Sequence, residues 1–236
     1  MRMLRLIVLL MLLPPTAYAE DYATLFEDAV RKVTWQYPAD WAYTETRQGS
    51  ERVEVGRYDP SRPEDERWEL VAIDGRAPSA EEAREYQEDR RGDRGFMSGE
   101  DDDEGGDDDD SPTDFVAPDS LELLEETSTH WLLGFVPAGD DDEEEKFLKK
   151  MDGTVRIAKE GGHLEYLDIS NQKTVRPAIG VKISDFHTRF EFAPALAGGP
   201  VVPVAFRLRI KGRAFVAVGF DEMENVEFSE FEPVSE

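Results

Sequence analysis

The chain contains no cysteine among its 236 residues. This absence excludes disulfides, thiolate metal ligands, a thiol nucleophile and a lipid-modified cysteine. Histidine is also scarce, with only His130, His163 and His187, and no GxGxxG, P-loop, GxSxG or HExxH pattern occurs. We therefore predict no cofactor, no metal site and no catalytic activity.

Long hydrophobic runs are missing from all but the start of the chain. Residues 6–13 are apolar, follow Arg2 and Arg5, and precede small residues at 17–19. This pattern is typical of a secretory signal peptide, and we predict one over residues 1–19. Because a membrane-spanning helix needs about 20 apolar residues, the run is too short to cross a bilayer. We expect the mature chain to be periplasmic and not an integral membrane protein.

Basic residues are few, with 27 Lys and Arg against 53 Asp and Glu, which gives a net charge of −26. Nucleic-acid binding depends on cationic side chains that displace counterions from phosphates, so this charge excludes nucleic acid as a partner. It also disfavours anionic lipid headgroups. Fifteen acids lie in two runs, nine at 100–110 and six at 140–145. The runs indicate solvated loops, and weak binding of divalent cations is the alternative.

The first acidic run lies in a longer segment with few apolar residues. Such a segment cannot offset the roughly 1 to 2 kcal/mol of backbone entropy that each ordered residue loses. We predict a disordered acidic insertion at about 93–118. The rest of residues 20–236 has enough apolar side chains for a single β-rich domain.

Two short segments carry helix signals. In the first, apolar residues recur at spacings of three to five and would form one face of a helix: Leu25, Phe26, Ala29, Val30 and Val33. In the second, Ser79 and Glu82 have the spacing of a capping box, in which each side chain satisfies a backbone N–H group at the helix start. We expect both helices, the second at about 79–91, to cover one face of a sheet.

Most of the remaining chain consists of predicted strands separated by turn residues. Before the insertion, strands are predicted on both sides of a hairpin connection at 48–50 and at 68–73. After it, strands are predicted at 121–124, 127–136, 147–151, 154–159, 164–170, 176–183, 186–192, 202–211, 214–220 and 225–231. The predicted fold is mainly β, a large curved antiparallel sheet or incomplete barrel, because a flat open sheet of so many strands would curl.

The predicted strand at 202–211 has two different faces. One face is apolar and carries Val202, Val204, Phe206, Leu208 and Ile210. The other face continues past the strand as a basic stripe of Arg207, Arg209, Lys211 and Arg213. We hypothesise that an acidic loop lies on this basic stripe.

Six aromatic residues at predicted strand positions are candidate ligand-binding residues: Trp68, Trp131, Phe135, Phe190, Phe192 and Phe206. For any one of them, packing in a core is the simpler interpretation. Together they could instead line a groove. Such a groove has to be large and dry, because an acyl chain gains only about 0.8 kcal/mol per buried CH₂.

One pair of residues leaves an enzymatic alternative. Asp185 and His187 lie two residues apart in a predicted strand, so they share a face and would allow general-base chemistry. A half-exposed strand histidine is the simpler interpretation.

The order of the predicted elements resembles that of the periplasmic lipoprotein carriers, LolA and its relatives. The features that carry the resemblance are the amphipathic start at 22–33, the segment at 151–157 followed by Gly161 and Gly162, and the long final strands. The resemblance implies an incomplete barrel whose concave apolar face is covered by helices and holds acyl chains. No residue of the chain matches a known binding residue of the family, so we transfer no site.

We expect an exported soluble protein that binds an apolar ligand, such as a lipid or the acylated segment of another protein. The alternative is a non-catalytic interaction or scaffold domain with a packed interior, which would act through its acidic surface loops.

Overall fold

A computed structural model describes residues 21–35, 37–91, 116–138, 145–215 and 218–234. The predicted signal peptide at 1–19 lies outside these residues, as do residues 140–144 and most of the predicted insertion at about 93–118. Only the end of that insertion is described, where Val116 is buried and pairs with Pro137. The signal peptide and the disordered insertion therefore stay predictions.

Ten antiparallel strands form one sheet. They are β1 (Trp41–Gln48), β2 (Val53–Tyr58), β3 (Trp68–Ile73), β4 (Glu122–Glu126), β5 (His130–Phe135), β6 (Asp152–Ala158), β7 (Leu164–Ser170), β8 (Val181–Pro194), β9 (Val201–Ala214) and β10 (Val218–Pro233). The order across the sheet is β3-β2-β1-β10-β9-β8-β7-β6-β5-β4. Among the described residues β3 and β4 each have one neighbour, so the sheet is open. The prediction of a mainly β fold with a large antiparallel sheet is confirmed.

Three predicted strands are wrong in type or extent. Residues 147–151 fall mostly in a 3₁₀ helix, Glu145–Lys150. Within 214–220, β9 ends at Ala214, Phe215 has a φ of 48° and β10 begins at Val218, while residues 216 and 217 lie outside the described part of the chain. Residues 176–183 form mainly the loop that leads into β8. Short apolar runs fit a strand, a turn or a buried helical turn equally well, so their periodicity could not separate these structures.

The three strands in the middle of the sheet are the longest and define its two faces. On one face, Phe186 pairs with Ile210 and Phe190 pairs with Phe206 across β8 and β9. The alternate positions carry charged residues, such as Arg209. Both helices pack against clusters on the apolar face, which we call the inner face. The opposite face is the outer face.

The first helix, α1 (Tyr22–Val30), begins at a capping aspartate. Asp21 accepts hydrogen bonds from the backbone N–H of Thr24 at 3.2 Å and from the Thr24 hydroxyl at 2.8 Å. The first bond satisfies one of the donors that a helix start leaves unpaired. The buried residues of the helix belong to the predicted apolar face: Phe26, Ala29 and Val30. This face attaches α1 to the inner face beside β7.

The second helix, α2 (Ala80–Asp89), begins with the predicted capping box. The Ser79 hydroxyl accepts from the Glu82 backbone N–H at 3.3 Å, and the Glu82 carboxylate accepts from the Ser79 backbone N–H at 2.7 Å. The Arg76 guanidinium, together with the Ser79 backbone, lowers the pKa of Glu82 to about 2. Glu82 is therefore ionised at neutral pH and the helix start is fixed. Tyr86 is the buried residue of the helix.

Two clusters of buried side chains share the inner face. The first, which we call the α1 cluster, includes Phe26, Leu133, Phe135, Val155, Ile157, Leu164, Leu167, Ile169 and Phe192. The second, which we call the aromatic cluster, includes Trp41, Tyr43, Tyr58, Trp68, Tyr86, Val226, Phe228 and Phe231. Phe190 packs against the α1 cluster and Phe206 against the aromatic cluster, and their ring centroids are 5.0 Å apart. The two clusters therefore form one continuous apolar layer.

Candidate functional site

The six predicted ligand-binding residues all lie in the apolar layer of the inner face, but they do not form one site. Trp68, Phe135 and Phe192 are each at most 5% exposed. Phe192 is in edge contact with Trp35, with ring centroids 5.0 Å apart, and the Phe135 ring lies against Gly153. These three predicted residues pack against protein.

The other three predicted residues are half-buried, at two separate places. Trp131 lies on β5, and the Lys159 ammonium sits over its ring at 4.7 Å from the centroid. Phe190 and Phe206 lie together in the middle of the sheet. Because β5 is three strands away from β8, the sheet separates Trp131 from the Phe190–Phe206 pair.

Phe190 and Phe206 belong to a larger group of half-buried apolar side chains across β8, β9 and β10. We call this group the central strip, and its members are Phe186, Phe190, Phe206, Leu208, Ile210 and Phe220. Gly212 allows Phe220 to lie flat across β9, since a Cβ at this glycine would be 2.4 Å from the Phe220 ring. The central strip lies between the parts of the inner face that α1 and α2 cover.

The helix α2 fills the inner face over β2 and β3. A Cβ at Gly56 would lie 2.0 Å from the Tyr86 hydroxyl, so the helix rests directly on the backbone of β2. The Tyr86 ring meets Trp68 edge-on, with centroids 6.3 Å apart. Burial raises the pKa of the Tyr86 hydroxyl above its ordinary value, so it stays protonated. The helix α2 is therefore in direct contact with both strands.

A charged group that the sequence did not predict lies at the edge of the aromatic cluster. Glu45 on β1 is only 1% exposed, and the Arg90 guanidinium at the end of α2 donates to its carboxylate. Arg47 donates to Glu45 at 3.2 Å and to Glu224 on β10 at 2.5 Å. We call these four residues the Glu45 network. The Arg90 guanidinium also lies over the Trp68 ring, 4.7 Å from its centroid.

A depression of about 380 Å³ adjoins the Glu45 network and the central strip. It is lined by Arg47, Gly49, Ser50, Arg52, Glu54, Leu208, Glu222, Met223 and Glu224. Leu208 belongs to both the depression and the central strip. The site therefore joins an apolar strip to a pocket with charged walls, which is the arrangement that an amphipathic molecule requires.

On the outer face, His187 and Asp185 each pair with a different residue, so they do not form the pair that the enzymatic alternative requires. His187 does not contact Asp185; its Nε2 lies 2.6 Å from the carboxylate of Asp168 on β7. Asp185 instead pairs with Arg209, with 2.9 Å between Nε and Oδ2. Since β7 and β8 are neighbours, the strand register brings Asp168 to His187, and this partner could not be read from spacing along β8. The predicted Asp185–His187 pair is wrong.

The basic stripe on the outer face pairs mainly with acids of neighbouring strands. Arg207 contacts Glu191 and lies 3.3 Å from Glu227, and Lys211 lies 2.7 Å from Asp221. The Lys211 ammonium lowers the pKa of Asp221 below its ordinary value. The acidic run at 100–110 lies outside the described residues, so the hypothesis that it covers this stripe stays a prediction.

Within the described part of the chain, no group of three His, Cys, Asp or Glu side chains could hold a metal ion. Neither of its helices combines the length and hydropathy that a membrane span requires.

Comparison with known proteins gives one structural match. No family model matches the chain, and no curated protein matches it. Among solved structures, a LolA superfamily protein from Nitrosomonas europaea is similar over 90% of this chain and 93% of that chain, at 11% sequence identity and a TM-score of 0.31. At so low a TM-score the likeness does not assign a function.

Proposed function

We propose that the protein is an exported, non-catalytic carrier that binds an apolar ligand, either a lipid or the acylated segment of another protein. The observation that carries this proposal is the central strip, whose half-buried apolar side chains run in register across the middle of an open sheet. The order of elements along the chain, which resembles the periplasmic lipoprotein carriers, supports the same function.

The ligand's apolar part lies along the central strip. Burial of apolar surface is favourable by about 25 cal/mol per Å². An acyl chain on the strip gains this free energy for its own surface and for the half-buried phenylalanine and leucine side chains that it covers. Phe186, Phe190 and Ile210 would contact one end of such a chain. Leu208 would contact it where the strip meets the depression.

The ligand's polar end lies in the depression. Its walls carry Arg47 and Arg52 beside Glu54, Glu222 and Glu224, so paired charges of both signs lie within one pocket. Charged groups in such positions fix the orientation of a ligand more than they add affinity. A head group with both a cationic and an anionic part fits these walls best.

We predict that Leu208→Gln weakens binding of the hydrophobic probe N-phenyl-1-naphthylamine about tenfold. The substitution places an amide in the strip and removes apolar contact, and a tenfold change corresponds to about 1.4 kcal/mol. The measurement is a fluorescence titration of the native protein, with displacement of the probe by a long-chain fatty acid.

Leu124→Gln is the matched control, since Leu124 is an exposed leucine on the edge strand β4. It should leave the titration unchanged. Equal probe affinity in the Leu208→Gln variant and the wild type, with both proteins folded by circular dichroism, would place the probe elsewhere and remove the support for this site.

A second candidate function is an interaction domain with a fully packed interior. The observation that favours it is the burial of Trp68, Phe135 and Phe192, which are each at most 5% exposed and pack against protein. In that case the native protein gives no fluorescence enhancement with the probe, so the same titration separates the two candidates.

A further inference from the structure

Two segments of this acidic protein contain no acid at all. Although 53 of the 236 residues are Asp or Glu, none occurs in residues 169–184 or in residues 192–220. Both segments carry cations, which are Lys173, Arg176, Lys182, Arg207, Arg209, Lys211 and Arg213. The local charge of this region is therefore opposite to that of the whole chain.

The two segments meet at one end of the sheet, where β8 begins and β9 turns into β10. Lys182 pairs in register with Arg213. The backbone N–H of Phe215, just after β9, donates to the carbonyl of Gly180, just before β8, at 2.8 Å. These contacts hold the 176–180 loop beside Phe215, just after the end of β9. We call the described residues at this end of the sheet, 176–182, 213–215 and 218, the hairpin tip.

Large apolar side chains point into solvent at the hairpin tip. Ile179 is 99% exposed, Phe215 is 75% exposed and Val218 is 62% exposed. Single exposed apolar residues are common on protein surfaces, but a contiguous group within a cationic rim marks an interaction surface. Ile179 and Phe215 lie in segments joined by the Phe215–Gly180 hydrogen bond, and Val218 is the first residue of β10.

Several residues at the hairpin tip make unfavourable contributions to the stability of the fold. Phe215 has a φ of 48°, a left-handed conformation that is unfavourable for a bulky side chain, and its ring is mostly in water. Lys182 and Arg213 face each other as like charges, and within the described residues neither has an ion-pair partner. Like charges directly opposite each other on neighbouring strands are destabilising.

We propose that the hairpin tip docks on the surface of an anionic lipid bilayer. Arg176, Lys182 and Arg213 contact the phosphate groups, while the exposed apolar side chains enter the boundary between headgroups and acyl chains. The net charge of the whole chain disfavours this surface, but at physiological salt charges farther than about 8 Å from the membrane are largely screened. The local cations and apolar residues therefore decide the contact.

The first test is co-sedimentation of the full protein with vesicles. With phosphatidylcholine and phosphatidylglycerol at a 3:1 ratio, we expect binding in 50 mM NaCl and release in 500 mM NaCl. Vesicles of phosphatidylcholine alone should bind at least tenfold more weakly. The double variant Lys182→Glu/Arg213→Glu should lose binding to the anionic vesicles. Arg84→Glu changes an exposed arginine on α2 and should bind as the wild type does.

The absence of cysteine allows a second, site-specific test. Val218→Cys can be labelled with an environment-sensitive fluorophore at this position alone, and we expect a blue shift on addition of anionic vesicles. The same label at Leu124→Cys, on the exposed edge strand β4, should show no shift.

Three results would overturn the proposal. They are no sedimentation with anionic vesicles, equal sedimentation of the Lys182→Glu/Arg213→Glu variant, and an equal blue shift at residues 218 and 124. If soluble polyglutamate binds the hairpin tip while vesicles do not, the tip is a site for an acidic protein and not for a membrane. Docking does not depend on the proposed ligand, because Leu208→Gln leaves the hairpin tip intact and should sediment normally.

Discussion

Replacing Arg90 by leucine is expected to lower the free energy of unfolding by about 3 kcal/mol, because it leaves the buried Glu45 carboxylate without its main partner. Glu45 is fully enclosed, and Arg47 alone remains to pair with it. The loss also removes the guanidinium that lies over Trp68. Urea unfolding followed by tryptophan fluorescence measures the change.

The double variant Glu45→Leu/Arg90→Leu serves as the control for this prediction. It removes both charges, so most of the lost stability should return, as for other buried ion pairs replaced by apolar residues. Arg84→Leu, at an exposed position of the same helix, should change stability by no more than about 0.5 kcal/mol. If Arg90→Leu is no more destabilising than Arg84→Leu, Arg90 does not compensate the buried charge.

Phe26→Ala is expected to lower the free energy of unfolding by about 3 to 5 kcal/mol, the usual cost of removing a buried phenylalanine side chain. Phe26 is the large buried side chain of α1 and belongs to the α1 cluster. Without it the helix keeps only Ala29 and Val30 as buried anchors. Denaturant unfolding monitored by circular dichroism gives the value.

Glu27→Ala is the matched control, because Glu27 is the exposed neighbour of Phe26 on the same helix. Its stability should stay within about 0.5 kcal/mol of the wild type. A loss of less than about 1 kcal/mol for Phe26→Ala would mean that α1 contributes little to the core, contrary to its packing.

The sequence was sufficient to predict the elements whose signals are local. The capping box of Ser79 and Glu82 forms as its spacing indicates, and the apolar face of α1 is the buried one. The alternation of apolar and basic residues along β9 places Phe206 on the inner face and Arg207 on the outer face. In each case the physical cause lies within a few residues.

The Glu45 network could not be predicted because its contacts are not local. Tyr43, Glu45 and Arg47 occupy every second position of β1 and so share one face of the strand. A charged residue on a strand usually faces water, and the sequence gives no reason to place Glu45 inside. Here Arg90 from α2 contacts Glu45 across 45 positions of sequence, and Glu224 contacts Arg47 across 177. Only the three-dimensional packing brings these partners together, so sequence periodicity carries no signal for the network.

The exposure of the six candidate aromatic residues also depends on tertiary neighbours. Phe190 and Phe192 are two positions apart on β8 and have the same residue type, so the sequence treats them alike. Phe192 is buried because Trp35, in the connection after α1, packs against it. Phe190 lies beyond that contact and stays half-buried. The partner that distinguishes them comes from a distant segment.

The presence of a bound apolar molecule is tested most directly by native mass spectrometry of protein purified from an exporting host. We expect a mass above that of the mature polypeptide, an excess that organic solvent removes and that is reduced in the Leu208→Gln variant. A native mass equal to that of the bare polypeptide, together with no solvent-extractable lipid, would contradict a carrier with its ligand on the central strip.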